Sequence, residues 1–358
     1  MNTTDTEQPR VSIIVPAYQA ASHLPSCVEA LSHQTAAKDS FEVLIVDDGS
    51  SDRTAETPLP QGYRLLHHER NRGAAAARNT GARAARGQVL LFVDVDVVPS
   101  EALVEAVLDL FFDPSTGEIR CRAATGCYDP EPANDGWFPR YKALWTWFCW
   151  RRTGEARSDS DHLQGALCAI SKAIFWQLDG FDEGYLGGSV EDYEFSTRLR
   201  SDGSQIMFDA RIRGKHRFPG FLTVARNYWA RTRMWLRLRF GTQSPRARTP
   251  LRSGQANARA GAGALLALAA VVTQTLSFLP IAIDHGSLLQ GLALASAVGY
   301  LATVSSFLIF ALRRHGIPFA SYALVVHFAL SVVVGIAALS APLGAGSHRS
   351  AATTGTTV

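Results

Sequence analysis

Val89-Leu90-Leu91-Phe92-Val93-Asp94-Val95-Asp96 is the stretch that decides how the first half of this chain folds. Five apolar residues, rich in β-branched and aromatic types, are too few for a helix and read as a strand buried on both faces. Two carboxylates then end the strand at alternate positions. Working outward, Val11–Val15, Phe41–Val46 and Arg64–His67 read as further short strands. Between them lie helical patterns. Ser22–Gln34 sets Leu24, Val28 and Leu31 at helical spacing behind a serine cap, and alanine-rich Ala74–Arg86 precedes Gly87 as a C-terminal stop. Strands alternating with helices predict an α/β fold with a mixed, mainly parallel sheet, whose ligand lies beyond the carboxyl ends of the strands.

Those ends carry the polar residues. Pro16-Ala17-Tyr18 follows the first strand, Asp47-Asp48-Gly49-Ser50 the second and Asp94-Val95-Asp96 the fourth, groups suited to a nucleotide diphosphate. A leaving diphosphate needs a divalent ion, and hard carboxylate oxygens hold Mg²⁺ or Mn²⁺. Taken singly each motif has a plainer reading: Asp94 and Asp96 as acidic turn residues before Pro99, and Asp47-Asp48-Gly49 as a turn capping the next helix.

Together, VSIIVPAY, VLIVDDGSSD, NRGAAAARNTGARAARG, LLFVDVD, LDGFDE and VEDYEFSTRLRSDG resemble the family 2 glycosyltransferases of the GT-A fold, over roughly residues 10–215. The resemblance implies a direct metal ligand at Asp96 and a donor contact, with metal within reach, at Asp94. It places Asp48 at the nucleoside base, with Asp47 and Pro16 beside it and Tyr18 packed on the base. Arg78 would reach the diphosphate or base. Asp192 would be the catalytic base, with Glu191 shaping its surroundings; as plain helix caps, both acids would only complement the dipole. His216 stands where some relatives supply another metal ligand. The Leu178–Glu183 loop resembles the acceptor side, with Trp176 near a sugar subsite. Gln19 stands where the family often has Asn.

The last part of the chain is different. Its mean hydropathy of +0.01 over 358 residues averages a mixed front with an apolar end. Gly261–Ile283, Leu288–Leu312 and Ile317–Leu343 contain no Asp, Glu, Lys or Arg, and each is long enough to cross the roughly 30 Å hydrocarbon core as a helix. Three spans follow, the third alternatively a re-entrant or peripheral helix. Thirteen Lys or Arg and no acid lie between Arg211 and Arg259, a basic belt beside an otherwise acidic body. Lying before the first span, with Arg313 and Arg314 after the second, the belt sets both on the cytoplasmic side. Phe221–Phe240 mixes Tyr228, Trp229 and Trp235 with arginines, a composition suited to the head-group layer. Anionic lipid accounts for the belt better than nucleic acid does.

The expected organisation is a disordered start at 1–9, a cytoplasmic GT-A domain at 10–218, an interfacial segment and linker at 219–259, three spans at 260–343 and a disordered tail from 344. No signal peptide is expected, because the apolar run after Gln8 is too short. Five scattered cysteines read as reduced and structural. The crowd Trp137, Tyr141, Trp145, Trp147, Phe148 and Trp150 is either core or a surface toward the membrane and a lipid acceptor. The implied activity is an inverting, metal-dependent transfer from a UDP- or GDP-sugar to a lipid-linked or membrane-held acceptor, without nucleic acid. A sugar nucleotidyltransferase and a non-catalytic membrane scaffold are the alternatives.

Overall fold

In a computed structural model the described residues are 8–151, 156–185, 190–240, 255–277 and 286–341. The N-terminal tail, most of the glycine-rich 184–189 loop, the 241–254 linker, the 284–287 turn up to its last residues and the tail after 341 lie outside them.

The front of the chain forms a nine-stranded sheet. Its elements in order are β1 (Val11–Ala17), α1 (Leu24–Ser32), β2 (Phe41–Asp47), β3 (Arg64–His67), α2 (Ala74–Ala84), β4 (Val89–Val93), β5 (Val97–Pro99), α3 (Leu103–Phe111), β6 (Ala123–Tyr128), α4 (Trp137–Arg151), β7 (Arg157–Ser160), β8 (Leu167–Ser171), α5 (Lys172–Gln177), α6 (Glu191–Ser201) and β9 (Ile206–His216). The strand order is β3-β2-β1-β4-β8-β6-β9-β5, with β7 against β9.

The sheet is mixed, but the expectation that it is mainly parallel needs correcting. β1, β2, β3 and β4 pair in parallel, as does β6 with β9, whereas β8 runs antiparallel to β4 and β6, and β9 antiparallel to β5 and β7. The first half is built from strand–helix–strand units, which force parallel neighbours. Beyond β4 the sense alternates: β6 and β9 keep that of β1 to β4, whereas β5, β7 and β8 run against it.

Period-2 alternation sends Ile13, Val15, Val43, Ile45, Val89 and Leu91 to the face covered by α1 and α3. Ile14, Leu44, Val46, Leu90 and Phe92 go to the face covered by α2, α5 and α6. Phe92 meets Phe175 and Phe181 at 5.5 and 5.4 Å, and burying each such ring contributes about 1.5–3 kcal/mol. Two helix boundaries also differ from expectation. Helix α1 starts at Leu24 without a side-chain cap, since Pro25 already presets its first turn. Helix α2 ends at Ala84, so Gly87 is not its stop. A Cβ on Gly87 would stand 2.7 Å from the backbone of Val11 and Ser12, and the glycine lets the chain enter β4 pressed against β1.

Beyond the sheet follow α7 (Phe221–Phe240), α8 (Gln255–Ser277) and α9 (Gly286–Leu339). Gly316, with φ 78°, breaks α9 into two arms before Pro318. The arms fold back on each other, with Tyr300 and Phe328 rings 5.2 Å apart, and α8 lies between their small residues Gly299 and Gly335. Among the described residues one helix, Ser287–Leu339, is apolar and long enough to cross a membrane, and Gly261–Leu276 is a shorter apolar helix. A third core joins α4, α7 and α9 through Phe138, Tyr141, Leu144, Val224, Phe307 and Phe319. The aromatic crowd of α4 is therefore packed against the apolar helices.

Candidate active site

The order β3-β2-β1-β4 reverses direction between β1 and β4, which opens a crevice at their carboxyl ends. Pro16 helps to open it: the β1–β4 ladder stops at Ile14↔Phe92, and a proline has no N–H with which to continue. Tyr18 projects from this edge with 48% of its surface exposed.

Asp47 and Asp48 are buried at 0% and 2% exposure, and their oxygens already accept hydrogen bonds. Asp47 takes the Ser50 amide at 3.1 Å and faces His67 Nδ1 at 2.9 Å. Asp48 takes the Arg72 and Gly73 amides at 2.9 and 2.7 Å and faces His68 Nδ1 at 2.6 Å. Asp48 thus fixes the start of α2, and Asp47 the turn after β2.

That helix carries Arg78, 4% exposed, into the centre of the crevice. One guanidinium nitrogen donates to Asp94 Oδ1 at 2.7 Å and another to Glu191 Oε1 at 3.0 Å, so the arginine clamps the end of β4 to the start of α6. Asn79 beside it bonds both the carbonyl and the amide of Phe181, at 2.8 and 3.0 Å, and ties α2 to the 178–183 loop.

The antiparallel pairing of β5 with β9 sets Val97 opposite His216 and so brings His216 back beside Asp96. His216 Nε2 lies 3.3 Å from Asp96 Oδ2, while Asp96 Oδ1 and His216 Nδ1 are buried without a partner among the described residues. Burial and the neighbouring Asp94 carboxylate push Asp96 up to about 7, and burial pushes His216 down to about 4. Crowded carboxylates with an orphaned oxygen and a neutral imidazole are a donor set that favours a divalent cation. Among the described residues no three His, Cys, Asp or Glu side chains enclose an ion by themselves, because Asp94 is turned to Arg78. Such a set fits an ion whose remaining ligands are substrate phosphates.

Asp192, in the first turn of α6, has a neighbour that the sequence did not reveal. His162 Nε2 lies 3.5 Å from Asp192 Oδ2, and its ring stacks on Tyr193 at 4.0 Å. Ser196 Oγ donates to the Asp192 carbonyl at 2.6 Å and lies 3.3 Å from His162 Nδ1, an arrangement that makes Nδ1 the donor and turns Nε2 to the carboxylate. Burial alone would raise Asp192, but His162, helped by Arg231 and Arg78, holds it down at about 2. Arg231, expected in the interfacial belt, therefore acts on the site. Nothing in Asp161-His162-Leu163 marks the histidine locally, since only the packing of α6 brings the two together.

Residues 12–177 match the family model described as Glycosyl transferase family 2. Among curated proteins the chain resembles validoxylamine A glucosyltransferase of Streptomyces hygroscopicus subsp. jinggangensis, 28% identical over 227 residues, covering 54% of this chain and 52% of that one. It also resembles glycosyltransferase AglE of Haloferax volcanii, 36% identical over 102 residues, 27% of this chain and 34% of that protein. The chain thus spans about half the length, or less, of these relatives. Among solved structures it is similar to the mannosyltransferase PcManGT from Pyrobaculum calidifontis, determined with GDP-Man and Mn²⁺, at 19% identity and a TM-score of 0.52 over 93% of this chain and 88% of that one. That likeness shows a shared GT-A-like α/β fold. The strand-end carboxylates and Arg78 all lie within residues 12–177, the stretch that matches the glycosyl transferase family 2 model.

Proposed function

We propose that the protein is an inverting glycosyltransferase that moves a sugar from a UDP- or GDP-linked donor to a lipid-linked or membrane-held acceptor. The observation that carries this reading is the clamp of Arg78 between Asp94 and Glu191, beside Asp96 and His216, at the crevice between β1 and β4.

In this reading Tyr18 packs on the base, and Asp47 and Asp48 shape the nucleoside pocket through the loop they hold. Asp96, Asp94 and His216 would hold Mg²⁺ or Mn²⁺, which supplies positive charge to the leaving diphosphate. Arg78 holds Asp94 in place through its ion pair. The acceptor oxygen attacks the anomeric carbon from the side opposite the diphosphate, and the C–O bond pair leaves with the nucleotide. Asp192 takes the proton of a hydroxyl acceptor as the new bond forms. Its low proton affinity suits a carboxylate that must stay ionised at neutral pH.

The apolar helices support a multi-pass arrangement with the catalytic domain on the cytoplasmic side. Arg314, at the kink of α9, reaches Glu131 of the catalytic domain at 3.6 Å, so the loop between the two arms of α9 faces that domain. A donor screen tests the activity. One nucleotide sugar should bind with Mn²⁺ or Mg²⁺, and Asp96→Asn should lose that metal-dependent binding, because a neutral amide replaces an anionic ligand. Unchanged affinity and metal dependence in the variant would remove Asp96 from the metal site, and failure to bind any nucleotide sugar would overturn the reading.

A further inference from the structure

The β5–β9 ladder fixes the backbone of His216 but not the turn of its ring. A histidine that ligates a metal usually hands its second ring nitrogen to a carboxylate, a carbonyl or a water, and that bond sets tautomer and orientation. His216 departs from this rule: its Nδ1 is buried without a partner among the described residues, while Nε2 lies 3.3 Å from Asp96 Oδ2. The imidazole is held by rings instead. Tyr128 and Phe218, each 6% exposed, meet edge to face at 5.9 Å, and the imidazole lies in their corner, 4.4 Å from one and 4.3 Å from the other.

The two rings are anchored differently. Tyr128 ends β6, inside the sheet. Phe218 lies two residues beyond the end of β9, just before Pro219 and past the last rung of the β5–β9 ladder. Asn134 takes the place of a partner strand there. Its Nδ2 donates to the Phe218 carbonyl and its Oδ1 accepts from the Phe218 amide, both at 3.0 Å, so one carboxamide satisfies both main-chain groups of a buried residue. The loop that carries Asn134 is tied to the same strand: the amides of Asp129 and Ala133 donate to the carbonyls of Gly214 and His216 at 2.8 and 3.0 Å. A path of direct contacts therefore runs from Asn134 through Phe218 to the imidazole.

We infer that Asn134 is a positioning residue for the candidate metal site: by clamping the main chain of Phe218 it holds the ring that keeps His216 Nε2 turned toward Asp96. The inference rests on the proposed role of His216 as a metal ligand, and it accounts for an oriented imidazole whose Nδ1 is unbonded. Without the clamp Phe218 is free to turn away and the imidazole loses one of its two walls. A ligand that must then be ordered as the ion binds holds that ion less tightly. Groups that orient a ligand in this way change metal affinity by about 10- to 100-fold.

The test uses the full chain in nanodiscs, saturated with UDP or GDP, whichever binds, and counts free Mn²⁺ by its electron paramagnetic resonance signal. Asn134→Ala should weaken Mn²⁺ binding about tenfold. Phe218→Leu, which keeps both main-chain bonds to Asn134 and fills the space without a ring, should do the same. Nucleotide affinity without metal should stay at the wild-type value in both, which shows that they are folded. In a His216→Ala background neither substitution should change Mn²⁺ affinity by more than about twofold, because the ring they position is gone. An equal loss in that background overturns the inference, as does an unchanged Mn²⁺ affinity in Asn134→Ala. Wild-type Mn²⁺ affinity in His216→Ala alone would remove His216 from the metal site and the inference with it, whereas the proposed transfer stands or falls separately, on nucleotide-sugar binding.

Discussion

At the scale of single residues, the site depends on how carboxylates are held apart in proton affinity. Asp96, crowded by Asp94 and burial, is pushed up to about 7, while Asp192, beside His162, is held at about 2. Environment rather than residue type sets these roles. The depressed Asp192 carboxyl contributes stability that is present above its unfolded value and is lost as pH falls toward about 2. Replacing His162 with Gln keeps a polar partner for Ser196 but removes the imidazole beside the carboxylate, so Asp192 should rise toward an ordinary carboxylate. With a hydroxyl acceptor, the acid limb of the kcat/KM profile should then move upward by about one pH unit or more. A profile that stays in place would show that His162 does not set the state of Asp192. The motif residues were legible in the sequence because they sit at strand ends, but His162 was not, since its partner lies 30 residues away on another element.

At the scale of elements, short contacts set the sheet. Gly87 was read as a helix stop; its position is instead decided by the close passage of the chain over β1. Gly87→Ala places a methyl 2.7 Å from backbone atoms of Val11 and Ser12, which cannot swing aside. The substitution should destabilise the domain by about 1–3 kcal/mol, seen as a lower midpoint in thermal or denaturant unfolding. An unchanged midpoint would mean that the entry to β4 relaxes freely. Strands β1 to β4 were legible because each is a short apolar run between turn signals. The reversed strands β5, β7 and β8 were not, because antiparallel return is a choice of partner, and local pattern does not name partners.

At the scale of the whole molecule, the sheet domain and the apolar helices pack against each other through α4, α7 and α9. Tyr141 Oη lies 2.8 Å from His327 Nδ1, and Trp145 stacks edge-on against the same histidine at 4.3 Å. The aromatic crowd is thus the joint between the two parts. If α8 and α9 are embedded in a bilayer, binding is dominated by apolar burial and the basic belt only adds to it. Membranes carrying the full chain and washed in 1 M salt, where the Debye length is about 3 Å, should therefore keep the protein. Release by salt alone would sink the multi-pass reading and leave surface charge as the anchor.

The sequence by itself determined the strand–helix alternation, the carboxylates at the strand ends, the apolar C-terminal stretches and the likeness to family 2, because periodicity and turn chemistry are local properties of a chain. Only the tertiary structure decided that Arg78 clamps Asp94 to Glu191, that β9 returns beside β5 to set His216 at Asp96 and that His162 attends Asp192. These are pairings between distant segments. They are fixed by which faces the packed sheet and helices leave to one another, a sum over many weak contacts that no single stretch of sequence carries.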